Sequence, residues 1–540
     1  MDLIINSGAG GSFVTSNTKI TKMKRMKCFY SLSLVAMVAL GFTACQDDED
    51  VAVTGVTLDV HNTIVRINAS QALTASIQPI DATKKSVSWV SRNAAIATVS
   101  ADGVITGVAN GETYVVVATN EGSFKDSCYV AVTKEVAGSE VTLSGNITTN
   151  TLLVSDVKYI LDGWVYVKEG ATLTIQPGTI IKGKTDTKAS LIIERGAKII
   201  AEGTSEKPIV FTSDKAVGSR TRGDWGGIIL CGKGIINPTG GEAEIEGGVG
   251  SKYGGTDNTD NSGVLKYVRI EYAGYAFATD KEINGLTLGG VGSGTTIDYV
   301  QVSYSNDDSF EWFGGAVNCS HLIAFRGLDD EFDTDYGFSG NVQFAVGLRD
   351  PEVADISKSN GFESDNDGSG STNAPLTNPK FANVSLYGPM PTATSTYNSL
   401  FQSAMHLRRK TALEVYNSVF AGWPKGLLMA DKKGNAGDIK IKGCVMSGML
   451  DNYSGNTAGE EAFYTTADYQ NRLITENSSL KVADAFNLTA PNFLPQTGSP
   501  LLTGGVTLPA GLEATTYVGA FGTTDWTSGW ANWTPQTTVY

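Results

Sequence analysis

Between Asn306 and Asp367 the chain collects 14 acidic residues against three basic ones, a net −11 in 62 positions. The acids are patterned. Asp308-Ser309-Phe310-Glu311, Asp330-Glu331-Phe332-Asp333-Thr334-Asp335 and Asn360-Gly361-Phe362-Glu363-Ser364-Asp365 each set a carboxylate directly after a phenylalanine. The first two phenylalanines are 22 residues apart and the next two 30, a spacing that fits successive turns of a coiled β chain. Phe310, Phe332 and Phe362 would then stack inward, and Glu311, Asp333 and Glu363 outward. Carboxylates ~5 Å apart repel by roughly 3 kcal/mol per pair at an effective dielectric of about 20. Three arrangements offset such repulsion: a bound hard cation, protons shared at raised pKa values, or screening on a solvated face.

The first arrangement predicts Ca²⁺ held by oxygens of Asp307, Asp308, Glu311, Asp330, Asp333, Asp335, Glu363 and Asp365. The second makes Asp330 and Asp333 the candidates for acid–base work. Trp312, Phe313 and Tyr336 adjoin these acids, and aromatic rings beside carboxylates suit sugar binding as well as they suit a core. Past the belt lies the basic run His406-Leu407-Arg408-Arg409-Lys410, expected as a corner cluster of solvated cations. The histidines, His61, His321 and His406, stand in no zinc or nucleophile-elbow spacing. Gly289-Gly290-Val291-Gly292-Ser293-Gly294 lacks the strand-to-helix setting of a phosphate loop and reads as turns.

The elements that must position these residues are short strands. From about Val141, runs such as Trp164-Val165-Tyr166-Val167, Ala171-Thr172-Leu173-Thr174-Ile175 and Pro208-Ile209-Val210-Phe211-Thr212 alternate with glycine or charged corners. A chain turning every few residues, with Ile over Ile and Val over Val, is a solenoid. Gly170-Ala171-Thr172-Leu173-Thr174-Ile175-Gln176-Pro177-Gly178-Thr179, Ala201-Glu202-Gly203-Thr204 and Gly223-Asp224-Trp225-Gly226-Gly227-Ile228 carry a resemblance to bacterial right-handed parallel β-helix, pectin-lyase-like surface proteins over residues 141–522. Roughly 13–16 coils at ~4.8 Å would make a rod about 60–75 Å long. Residues 237–263 and 366–380 read as projecting loops, and the Trp-rich 523–540 as a cap on the open end. The resemblance implies that Ca²⁺ and a basic residue, here Arg408, could act as in polysaccharide lyases. The fuller pectate-lyase and polygalacturonase motifs do not occur: there is no Gly-His-Gly with an Arg-x-Lys following it.

Residues 52–134 form a separate all-β segment. Val87-Ser88-Trp89-Val90-Ser91, Ile96-Ala97-Thr98-Val99 and Gly103-Val104-Ile105-Thr106-Gly107 resemble the bacterial immunoglobulin-like group 2 domain, with Trp89 as its core tryptophan. The fold class expected is therefore all-β: an Ig-like sandwich followed by a right-handed parallel β-helix.

The front end reads as a processing segment, residues 1–44, with initiation at Met23 or Met26. A basic stretch at 23–27 precedes an apolar Ser31–Ala44, too short to span a bilayer as a mature helix. Phe42-Thr43-Ala44-Cys45 resembles a lipobox that lipidates Cys45, and the tether 45–51 carries an acidic run similar to the surface-export signal of Bacteroidota-type lipoproteins. Cleavage leaves 36 Lys+Arg against 55 Asp+Glu, a formal −19, which disfavours nucleic acid as a partner. Cys128, Cys231, Cys319 and Cys444 are expected as buried free thiols. The function expected is a lipid-anchored protein on the exterior of the outer membrane. It would bind an extracellular glycan or adhere to a surface ligand, and could feed an outer-membrane importer. A polysaccharide lyase or glycoside hydrolase using the belt, and a purely structural surface component, stand as alternatives.

Overall fold

The computed structural model describes residues 50–278, 281–430, 438–455 and 457–540. The expected signal segment, Cys45 and most of the acidic tether lie outside the described residues. Among the described residues no helix is long and apolar enough to cross a membrane.

Residues 52–134 make a β-sandwich. One sheet orders Asn62–Arg66, Lys125–Thr133, Gly111–Thr119 and Val87–Ser91; the other orders Ser70–Ala72, Val104–Gly107 and Ala97–Val99. Trp89 is half-buried at the edge of this core. Its indole lies against Gly103, where a Cβ would come within 2.7 Å of the ring and where φ is +79°, so glycine is required there.

The remainder is a parallel β-helix, a sheet of 26 strands among the described residues. Aliphatic strands of three to ten residues pair with the strand one coil on, which yields three parallel ladders around one core. The ladder that carries the acids has rungs at 145–147, 164–167, 190–193, 227–231, 286–289, 310–313, 332–335, 362–364, 403–407, 425–429 and 451–453. Eleven rungs at ~4.8 Å give a rod of about 50 Å. It is shorter than the sequence implies because later coils are longer and two inter-coil segments fold as excursions. Residues 237–263 do not project: Ile245, Val249 and Tyr253 are buried with Ile192, Ile229 and Phe313, covering the outer side of the acid-bearing ladder. All four cysteines in the described residues are free and buried.

One corner departs from the glycine and charged residues expected there. Tyr267, Tyr299, His321, Phe344, Asn383 and Asn417 each sit at positive φ, between +46° and +60°, where consecutive ladders meet. Asparagine tolerates that conformation, whereas aromatic residues adopt it rarely. Here the rings stack, Tyr267 on Tyr299 at 4.4 Å and Tyr299 on His321 at 4.1 Å, so packing supports the strained backbone.

This aromatic column explains where the tail goes. Residues 523–540 lie along the flank of the rod rather than across its open end. Trp530 meets Tyr267 and Tyr299 edge-on, and Trp533 meets Phe325. Amide side chains on the coils hold the returning backbone. Gln301 exchanges two hydrogen bonds with Asn532, Gln343 two with Glu513, and Asn417 two with Val506. The return reaches the first coils, where Arg220 donates to the carbonyls of Pro535 and Thr538, and Lys158 to that of Tyr540.

Candidate functional site

The phenylalanine register of the sequence is present in the ladder. Phe310 pairs with Phe332 and Phe332 with Phe362, with ring centroids 5.6 and 5.9 Å apart inside the rod. One residue on, Glu311 pairs with Asp333 and Asp333 with Glu363, and the column ends on His406. Burial of the rings fixes the carboxylates on the opposite side of the sheet, since successive side chains alternate faces.

The outward face is not solvated. Glu311 is 7% exposed and Asp308 8%. Asp307, Asp308, Asp329 and Asp330 come from the turns that lead into the strands Phe310–Phe313 and Phe332–Asp335. Across the mouth stand Glu246, from the 237–263 excursion, and Glu282, from the hairpin strand Lys281–Ile283, with Ser357 and Lys358 from the 350–359 loop. Together with Glu363 and Arg408 these residues line a cavity of about 210 Å³.

Two of the acids also hold the coils together. Asp308 Oδ1 accepts the N–H of Asp330 at 2.8 Å, Asp330 Oδ1 that of Asn360, and Asn360 Oδ1 that of Ser403. Each side chain thereby supports the backbone of the following coil.

Burial holds six carboxyls of the cluster, those of Asp307, Asp308, Glu311, Asp329, Asp330 and Asp333, above the usual range, and neighbouring carboxylates add to it. Asp330, with Asp333 as its strongest neighbour, and Asp333, with Asp335, are each pushed up to about 7. Asp307, Asp308, Glu311 and Asp329 are raised well above 3.8–4.5, by burial first and by mutual repulsion second. Some oxygens have no donor at all. Asp329 Oδ1 and Asp333 Oδ1 are enclosed without a hydrogen-bond partner. So is Oδ1 of Asn284, a 1% exposed residue whose Nδ2 donates to Glu311.

The basic run is not a solvated corner. Arg408 pairs with Glu363 and Asp365, Arg409 with Asp365 at 2.8 Å. His406, lowered to about 4 by burial and then by Arg409, is a neutral imidazole; its Nδ1 lies 3.0 Å from Glu363 Oε2. Arg408 thus closes one side of the cavity as a fixed cation.

The structure gathers Asp307, Asp308, Glu311, Asp330, Asp333, Glu363 and Arg408 about one space. Asp335 and Asp365 are not in that lining: Asp335 Oδ1 accepts the N–H of Tyr336, and Asp365 is engaged by both arginines. Trp312 and Phe313 are corrected. Trp312 is fully buried among Phe310, Phe332 and Phe338, and Phe313 lies under the 237–263 excursion beside Tyr253. Neither ring can stack on a sugar. Tyr336 is half-buried against Phe313. Sequence reasoning missed Glu246, Glu282, Asn284, Asp329 and Lys358 as members of the site; only Asp329, in the repeated Asp-Asp pair, carried a readable signal.

The donor set consists of carboxylate oxygens and one amide oxygen, with no thiolate or imidazole in the closest groups. It fits a hard cation of the Ca²⁺ class and not zinc or a softer metal.

Residues 145–531 match the family model described as "Pectate-lyase like beta helix domain". Residues 52–130 match that of the bacterial Ig-like domain (group 2). An uncharacterized protein of Bacillus cereus is 36% identical over 85 residues, 15% of this chain and 64% of that protein. The chain therefore spans just under two thirds of that relative's length.

Proposed function

Since the chain belongs to the pectate-lyase-like β-helix family, we propose that it is a surface protein that engages an extracellular glycan through a divalent cation held in the acidic cavity. One observation carries this reading: among the described residues, nine carboxylates and two cationic side chains line a single small, largely buried space. A Ca²⁺-class ion neutralises such a set and keeps free coordination positions for ligand hydroxyl or carboxylate oxygens. Asp307, Asp308, Glu311, Asp329 and Asp333 would hold it; Lys358 in the lining, and Tyr336, half-buried beside Phe313, would meet the glycan.

Cys45, after the apolar 31–44 stretch, would carry the lipid, and the acidic residues that follow it would direct display on the outer membrane facing the exterior. The Ig-like domain is then a spacer, and an importer in the same membrane is a fitting partner. Palmitate labelling that persists in Cys45→Ala would dismiss the anchor.

The test of binding is retardation in native gels cast with polysaccharides. Retardation should require Ca²⁺ and vanish in chelator and in Asp333→Asn. Mobility that responds to a polysaccharide equally with and without Ca²⁺ would remove the cation from the binding site.

A polysaccharide lyase or hydrolase is the second reading, favoured by Arg408, Asp330 and Asp333 lining the same cavity. Release of unsaturated or reducing ends by the Ca²⁺-loaded protein, lost in Arg408→Lys, would establish it.

A further inference from the structure

We infer that a second groove, beside the acidic cavity, receives a tetrahedral oxyanion ester, sulfate or phosphate, borne by the glycan. This rests on the glycan reading above and narrows the class of chain that binds. The groove has a volume of about 450 Å³. Lys358, Tyr397, Ser399, Gln402 and Lys425 line it, with Phe401 below, and no carboxylate does, in a chain whose formal net charge is −15.

All five of these side chains carry donors, and among the described residues none of the five is engaged in a hydrogen bond or an ion pair through its side chain. Their placement follows from the ladder register. Ser359 bridges to Phe401, and Ser403 pairs with Lys425, so Lys358 and Lys425 stand on the coils either side of Gln402. At ~4.8 Å per coil their backbones are about 10 Å apart, a gap that two lysine side chains can close onto one group. Lys358 holds φ at +96°, a conformation rare outside glycine, and it lines both the groove and the acidic cavity. A glycan seated at the cavity therefore continues over the groove along the rod.

The donor types select the anion. Two ammonium groups are point charges with rotatable donors, and with the amide and hydroxyl donors beside them they match the spread oxygens of a tetrahedral ester. A planar carboxylate is met best by the paired N–H groups of an arginine, and no arginine lines the groove. Tyr397, half-buried against the core, adds apolar surface for the sugar ring that bears the ester.

Saturation-transfer NMR on the full chain, in chelator, reads the groove with monosaccharides too short to span both spaces: glucose 6-sulfate, glucose 6-phosphate, glucuronate and glucose. The esters should bind about tenfold more tightly than glucuronate, glucose should not bind, and the tighter ester names the group. Lys358→Gln and Lys425→Gln should each weaken the ester by about fivefold, with circular dichroism establishing that each is folded. Lys198→Gln, an equal change of charge at an exposed position on another ladder, should bind as the parent does. Glucuronate held as tightly as the esters, or ester binding that is absent or alike in all three variants, overturns the inference. Ester binding that follows the expected pattern while Ca²⁺-dependent retardation by polysaccharides fails would keep the oxyanion groove and sink the glycan reading; the reverse result would keep that reading and sink the groove.

Discussion

Raising the pH from 5 to 8 in chelator should destabilise the β-helix, and the size of the loss follows from Asp330. Its carboxyl is held at about 7, against the usual 3.8. The folded protein therefore keeps a proton that the unfolded chain has released, and stability from this group is complete below 3.8 and lost as pH rises through 7. The full span, about three units at ~1.4 kcal/mol each, is roughly 4 kcal/mol for one such group; the part that falls between pH 5 and 8 is about 2.7 kcal/mol, with a maximum slope of ~1.4 kcal/mol per pH unit. Asp330→Asn keeps an oxygen for the Asn360 N–H and removes the titration, so its curve should be flatter by that slope. Ca²⁺ acts in the opposite direction. At a hundred times its Kd a bound ion returns ~2.7 kcal/mol, more at pH 8 than at pH 5, where protons compete for the same oxygens. Urea unfolding followed by tryptophan fluorescence at four pH values, with chelator and with Ca²⁺, measures all of this. Stability in chelator that stays level or rises between pH 5 and 8 would refute the reasoning, as would an Asp330→Asn curve parallel to the parent.

Other perturbations separate structural from functional residues. Arg349 and Glu331 form an ion pair at 2.8 Å with neither side chain exposed; Arg349→Met should cost about 3–5 kcal/mol in urea unfolding, and adding Glu331→Gln should recover much of it. Trp312→Ala should lose about 3–5 kcal/mol of stability, and the folded fraction should bind glycan as the parent does, because the ring faces the core. Gln343→Ala removes two hydrogen bonds to Glu513; limited proteolysis should then nick the 500–540 return earlier while the coils stay resistant, and an unchanged digestion pattern would show that the return is held elsewhere.

The solenoid was legible because Ile, Val and Phe at coil spacing have no other way to be buried together. The register of Phe310, Phe332 and Phe362 could be read for the same reason: slipping any of them would move a ring to the outer face. The state of the acids on that face could not be read. Their burial depends on Glu246 and Glu282, which arrive from excursions with no period, and on Ile245, Val249 and Tyr253, which look like loop residues until they are packed. Trp312 misled because a tryptophan beside a carboxylate in sequence says nothing about which side of the sheet it faces. It shares the inward parity of Phe310, two residues earlier, and that alternation was the available clue. The aromatic corners at Tyr267, Tyr299 and His321 were invisible, since their left-handed backbone is sustained by stacking between residues more than twenty positions apart.

In a plain stack of coils each repeat feels only its neighbours, and unravelling can start at either end and proceed step by step. The returning tail changes that arithmetic. Residues near Tyr540 hold Lys158 and Arg220, while residues near Glu513 hold Gln343, so early and late coils share bonds across more than 300 positions of sequence. Fraying at the first coils must also release the tail, and release of the tail bares the aromatic column midway along the rod. The nearest-neighbour chain becomes a closed circuit, which should melt in one sharp transition instead of a graded series. Acquiring that circuit has a kinetic consequence: the first coils cannot reach their final stability until the last segment has been made and has folded back over them.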